Sequence, residues 1–252
     1  MATPNRSHVY LGTFLIALTT LALQITLARL LSAITWYHLA FFAISVAMLG
    51  MTAGAVLVYL KSNWFNAERL DRSLSLASLG YAMAAPAALL VLCSTPLGSP
   101  GGRVTAMTVA TFLIATAAAF VPFFFSGIAI SAVLTRSRLP VGRIYGVDLV
   151  GAAMGCLLVL GGLELIDAPS LVLLCAAFGA LAALSYARRH GSSRLKKACL
   201  GTFLVLAATV PLNSNTLDGI RPIAVKGRME KPQIVLLERW NSYSRVVVDK
   251  LQ

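Results

Sequence analysis

Gln24, Arg29 and Asp148 are polar side chains set inside otherwise apolar runs of the sequence. An ionisable group at membrane depth is costly, so it normally faces a partner, a cavity or the interface, and it marks a place to look for a substrate or proton path. Together the three could line a polar route for a small solute. A purely structural chemistry is open to them as well: Arg29 lies near the end of its run and can snorkel to the interface, and Asp148 lies one turn from the basic fourth loop, within reach of Arg143. The other chemistry-bearing side chains form no constellation. His8, His38 and His190 are scattered over a terminus, a helix start and a basic stretch. Cys93, Cys156, Cys175 and Cys199 each lie in or beside an apolar run, with no spacing for a metal clip or redox pair, and read as small packing residues. The sequence contains no P-loop, no HExxH, no nucleophile elbow and no Gly-rich turn between a strand and a helix. No residue is therefore assigned a catalytic, cofactor-binding or metal-ligating role.

The elements that must position these groups follow from composition. The 252 residues are 58% hydrophobic and 12% charged, against about 25% charged in an ordinary soluble domain. The apolar residues fall in blocks of about 17 to 31, long enough to cross a hydrocarbon core of about 30 Å as helices. They lack the period-two alternation of a transmembrane β-barrel. The pattern predicts an all-α polytopic membrane protein with seven spans, Val9–Ala33, Trp36–Leu60, Leu74–Cys93, Val104–Leu134, Ile144–Leu163, Pro169–Ala187 and Leu195–Leu212. Residues 1–212 form the transmembrane domain and 213–252 a polar tail. Pro122 predicts a kink in the long fourth span. Trp36, Tyr37 and His38 open the second span as an interfacial anchor.

Two glycine pairs set the packing. Gly50 and Gly54, and Gly151 and Gly155, each lie four apart on one helix face, where they let backbones approach closely. Packing within one chain is the expectation, with a homodimer through these faces as the alternative.

The formal charge of +12 is carried on short loops, where it sets orientation and meets anionic lipid; nucleic acid is discounted as a partner. The second, fourth and sixth loops hold Lys61, Arg69 and Arg72; Arg136, Arg138 and Arg143; and Arg188, Arg189, Arg194, Lys196 and Lys197. The alternate loops hold little beyond Arg103 and the acids Glu164 and Asp167. Loops two, four and six should face the cytoplasm of the cell (inner) membrane, with the N-terminus on the same side. Seven crossings then put the tail outside. A last helix lying at the interface is the alternative.

In the tail, Ile234–Leu237 and Arg245–Val248 are β-branched runs separated by Asn241–Ser244, which predicts two short strands and a turn. A lone pair of strands is marginal in water, and nothing after Asp249 can cover its faces, so a fragment or truncated reading frame is expected.

The run RIYGVDLVGAAMGCLLV (Arg143 to Val159), the short acidic loop with Ala168 and Pro169, the basic loop after it, and LLERWNSYSRVVV (Leu236 to Val248) together resemble the membrane-integral spermidine synthase-like proteins of bacteria. The resemblance covers the membrane region and the first strands of the synthase domain, and its tail motif includes Trp240, Asn241, Ser242, Tyr243, Ser244 and Arg245. It implies a membrane domain that anchors or regulates a polyamine synthase-type domain, which transfers an aminopropyl group from decarboxylated S-adenosylmethionine to an amine. The carboxylates and cofactor turn of that chemistry belong to a downstream synthase-like domain or subunit, and no cofactor is expected in this chain. Where soluble spermidine synthases commonly carry Tyr-Gln near the substrate, this sequence has Tyr243 and Ser244. The other reading is a small-molecule membrane carrier, for polyamines or another solute, with Gln24, Arg29 and Asp148 lining its path.

Overall fold

A computed structural model describes residues 7–35, 39–66, 68–96, 105–190, 192–216, 219–226, 228–229, 235–241 and 244–249. Seven helices among them are long and apolar enough to cross a membrane. They are α1 (Ser7–Ile34), α2 (Leu39–Leu60), α3 (Leu70–Ser94), α4 (Ala106–Arg136), α5 (Val141–Leu165), α6 (Ala168–His190) and α7 (Ser193–Ser214). The protein is a multi-pass helical membrane protein. The helices follow the seven predicted apolar runs, and the structure extends most of them by a turn or less into the polar flanks. A 3-10 turn (Ser62–Phe65) follows α2, and its Phe65 is buried. α4 continues unbroken through Pro122, and Trp36, Tyr37 and His38 lie outside the described residues.

The bundle is arranged around α1 and α6, the two most enclosed helices. α1, α2, α4, α3 and α6 close a ring by successive contacts, with α5 packed outside α1 and α7 outside α6. Small residues set the closest approaches. Gly151 lies against the Phe14 backbone and Gly155 against that of Leu18, so α5 runs parallel to α1 at near-backbone contact. Gly50 and Gly54 likewise meet Phe120 and Phe124 of α4, with Gly127 set against Met51. Both glycine pairs are thus consumed by packing inside the chain, and neither face is left for a second copy.

Hydrogen bonds between helices reinforce this packing where burial removes water. Tyr81 Oη donates to Thr19 O at 2.8 Å, Ser75 Oγ to Ala183 O at 2.8 Å and Ser185 Oγ to His8 O at 2.9 Å. The Thr13 and Tyr186 hydroxyls meet at 3.1 Å. The outer faces of α5 and α7 expose Leu149, Leu157, Leu160, Leu204 and Val205, which fits helices whose surroundings are lipid.

The tail forms two small antiparallel sheets, β1 (Ala224–Val225) with β2 (Arg228–Met229), and β3 (Val235–Trp240) with β4 (Arg245–Asp249). In the second, Trp240 pairs with Arg245 and Glu238 with Val247. The expected strand pair is present, its first strand running on to Trp240 through residues that sequence reading had left between strand and turn. The expectation that nothing would cover it requires correction. Trp240 is buried, whereas Leu237, Val246 and Val248 on the opposite face are exposed. One face of the hairpin is covered from behind, by the end of the helical bundle.

Candidate functional site

The site is built where helices end. The last carbonyls of a helix have no intrahelical donor, and three helices that finish at this end of the bundle receive one from the tail. Lys226 N–H donates to Ile34 O of α1 at 2.6 Å, and Ile223 N–H to Cys93 O of α3 at 3.0 Å. Arg221 Nη2 donates to Asn213 O at the end of α7 at 3.1 Å and to Thr216 O beyond it at 3.1 Å. Lys226 holds a left-handed backbone with φ 50° between β1 and β2, a conformation costly for a side-chain-bearing residue; the bond to Ile34 helps to hold it.

Arg221 also collects charge. Its Nη1 lies 3.2 Å from Asp167 Oδ1 and its Nε 3.4 Å from Glu238 Oε2. Asp167 precedes α6 and accepts from Ser170 N–H at 2.8 Å, the geometry of a helix N-cap. Asn213, buried at the end of α7, donates to Ser170 Oγ at 2.9 Å and accepts from Ile220 N–H at 2.6 Å. On the hairpin, Glu238 Oε1 accepts from Trp240 Nε1 at 2.7 Å and from Arg245 Nε at 2.9 Å. The Arg245 guanidinium lies 5.8 Å from the Trp240 ring centroid, within cation–π range. Burial would raise the Glu238 carboxyl, but the hydrogen bond and charge of Arg245, the Trp240 indole and the Arg221 guanidinium outweigh it and hold the group below its ordinary value. One buried network therefore joins the α5–α6 turn, the end of α7 and the hairpin.

Beside this network lies a cavity of about 840 Å³ between α1, α2 and the tail. Gln24, Arg29 and Ser32 supply the polar side of its α1 wall, and Phe41 and Ile44 of α2 its apolar side. The tail closes it with Lys226, Trp240, Asn241, Ser244 and Arg245. Arg29, Lys226 and Arg245 bring positive charge to the lining, and no Asp or Glu is among the described residues that line it. Arg245 is paired with Glu238, whereas Arg29 and Lys226 have no ion-pair partner among the described residues.

The structure divides the polar residues singled out by sequence. Gln24 and Arg29 share the cavity with Trp240, Asn241, Ser244 and Arg245 of the tail motif. Ser242 and Tyr243 lie outside the described residues. Asp148 belongs to the other end of the bundle: it is three residues before Gly151, which meets Phe14 in the first half of α1. No ion pair between Asp148 and Arg143 is found among the described residues. The three residues do not line one path. Sequence reading missed Asp167, Asn213, Arg221 and Glu238, which do most of the joining. Their signals were faint: an acid ahead of a helical run, a lone Arg in a turn-rich stretch, and a Glu two residues from a Trp in a strand. No group of three His, Cys, Asp or Glu side chains that could hold a metal ion is found among the described residues.

Compared with protein-family models, curated proteins and solved structures, the chain matches none.

Proposed function

We propose that the chain is the membrane-embedded part of a spermidine synthase-like protein, a helical bundle that anchors a polyamine synthase-type domain through the hairpin docked on one of its ends. The observation that carries this reading is the part-buried Arg221–Glu238 pair, which ties the bundle end to the strand holding the family-like run Leu236 to Val248. The side chains of that run divide their roles by strand alternation. Glu238, Trp240 and Arg245 serve docking, while Leu237, Val246 and Val248 leave an exposed apolar face suited to the further β-structure that the resemblance implies. Decarboxylated S-adenosylmethionine and its amine acceptor belong to that further domain in this reading.

The orientation in this proposal has the eleven Lys and Arg of the second, fourth and sixth loops in the cytoplasm of the inner membrane, and the hairpin on the opposite side. A polyamine carrier is the weaker reading. Its polar path would need Asp148 beside Gln24 and Arg29, and the cavity that holds the latter two is lined by cations that repel a polyamine.

Capture of the protein through an N-terminal tag, from the cells that make it, tests the proposal. The captured material should transfer an aminopropyl group from decarboxylated S-adenosylmethionine to putrescine or a related amine. Captured protein with no such activity and no synthase-type domain or subunit attached would sink the reading.

A further inference from the structure

We infer that the cavity between α1, α2 and the tail is a binding site for an anionic phospholipid, its headgroup phosphate held by Arg29 and Lys226 and an acyl chain running along Phe41 and Ile44 of α2. This inference is independent of the synthase reading, since it rests on the lining of the cavity alone.

Size is the first consideration. At about 840 Å³ the cavity falls within the range of about 300–1,000 Å³ found for small-molecule sites. Charge is the second. Arg29 and Lys226 reach the cavity from two different segments, the end of α1 and the β1–β2 turn, and the described residues of the lining offer no carboxylate to neutralise them. The third cation, Arg245, already has Glu238 at 2.9 Å. Two cations with no ion-pair partner among the described residues on one lining select an anion, and Ser32, Asn241 and Ser244 on the same lining bring further hydrogen-bonding groups.

Position separates a lipid from a soluble anion. Arg29 is five residues from the end of α1, about 7.5 Å along the axis, and Gln24 is ten, about 15 Å, at 1.5 Å per residue. The lining thus runs from the helix end, where headgroups lie, into membrane depth. Along the same direction the α2 wall is apolar, and Phe41 is 69% exposed and Ile44 37%. A phosphate ester without an acyl chain would leave that wall bare, and a zwitterionic lipid would bring a cationic group to Arg29 and Lys226. An anionic phospholipid satisfies both ends, as basic pockets between transmembrane helices do elsewhere.

The experiment uses Trp240, which lines the cavity, as the reporter in the full chain carrying Trp36→Phe and Trp64→Phe. Phosphatidylglycerol with dibrominated acyl chains should quench its fluorescence at about tenfold lower mole fraction than the matching phosphatidylcholine. Combining Arg29→Gln with Lys226→Gln should abolish that preference. Both side chains are exposed, so circular dichroism should show an unchanged helical content. Phe41→Ala, which leaves both cations, should weaken quenching by phosphatidylglycerol about threefold and keep the preference. Equal quenching by the two lipids, or an unaltered preference in the double variant, would overturn the inference. Inorganic phosphate forms the second arm. At a concentration equal to the lipid it should leave the quenching intact; displacement of the lipid would assign the site to a soluble phosphate and reject a lipid occupant.

Discussion

Arg221 is the residue on which the tail's position depends most directly. A guanidinium has five N–H donors in a fixed plane, and here they reach the end of α7, the residue before α6 and β3 at once. A lysine offers one point charge and could not reproduce that geometry. Without Arg221, Asp167 keeps only the Ser170 N–H and Asn213 as polar partners among the described residues, and Glu238 keeps only Arg245 and Trp240, so Arg221→Ala should weaken docking of the tail by about 1–3 kcal/mol. The effect would be read as a red shift of Trp240 emission and faster proteolysis of the tail, with helical content preserved; an unshifted emission would mean that Arg221 is dispensable. Glu238 gives the same junction a pH dependence. Its carboxyl is held below the ordinary value of 4.5 despite burial, by Arg245, Trp240 and Arg221. A depressed carboxyl contributes stability in full above its unfolded value, and that contribution is lost as pH falls through the folded value. Docking should therefore be constant around neutrality and loosen only on acidification below 4.5. Glu238→Gln should dock more weakly at neutral pH and lack the acid limb, which a pH titration of Trp240 emission checks.

Helices in this bundle approach one another through glycine, and the consequences differ from face to face. A Cβ built on Gly151 would meet Phe14 O at 2.5 Å, and one on Gly155 would strike Leu18 O. Backbone cannot step aside as a flexible side chain can, so Gly155→Leu must separate α5 from α1, at a cost of about 1–3 kcal/mol for overpacking. Gly54→Leu should do the same between α2 and α4, where the obstacle is the backbone of Phe124 and Ile128. Gly161 and Gly201 have nothing within 4 Å of an added Cβ, so leucine there should leave thermal stability in detergent unchanged. Equal melting temperatures for all four variants would refute the assigned faces. The helices themselves were legible in the sequence because a membrane span needs only length and apolarity, and the i, i+4 glycines announced close packing. Which helix each glycine would meet was not legible, because that depends on contacts between residues far apart in the chain, Gly50 with Phe120 and Gly151 with Phe14. The site was half legible for the same reason. Gln24 and Arg29 stood out as polar residues in apolar runs, whereas Asp167, Arg221 and Glu238 are ordinary in their own segments and acquire meaning only when three chain segments converge.

For the molecule as a whole, the two ends of the bundle differ in charge and in covering. One end carries the basic stretches around residues 61–72, 136–143 and 188–197. The other carries Asp167, the ends of α1, α3 and α7, and the tail that caps them. α7 decides whether the tail belongs opposite the basic loops. Near its start the Cys199 sulfur lies 3.7 Å from Ser75 Oγ of α3, and near its end Asn213 bonds Ser170 at the start of α6. Those two positions are fourteen residues apart, about 21 Å of helix, so α7 runs the depth of the bundle beside α6 rather than lying across one end. Lys and Arg in short loops favour the cytoplasmic side, which would leave the hairpin external, although a synthase-type domain would ordinarily be sought in the cytoplasm. Cysteine labelling separates the two. With Cys93, Cys156, Cys175 and Cys199 replaced by alanine, a reagent that cannot cross the membrane should modify Asn215→Cys and Arg239→Cys in intact cells, both being exposed positions. Ser192→Cys, exposed between α6 and α7, should react only after the membrane is opened. Labelling of Ser192→Cys alone in intact cells would invert the bundle and return the hairpin to the cytoplasm. Labelling of all three in intact cells would mean that α7 does not cross.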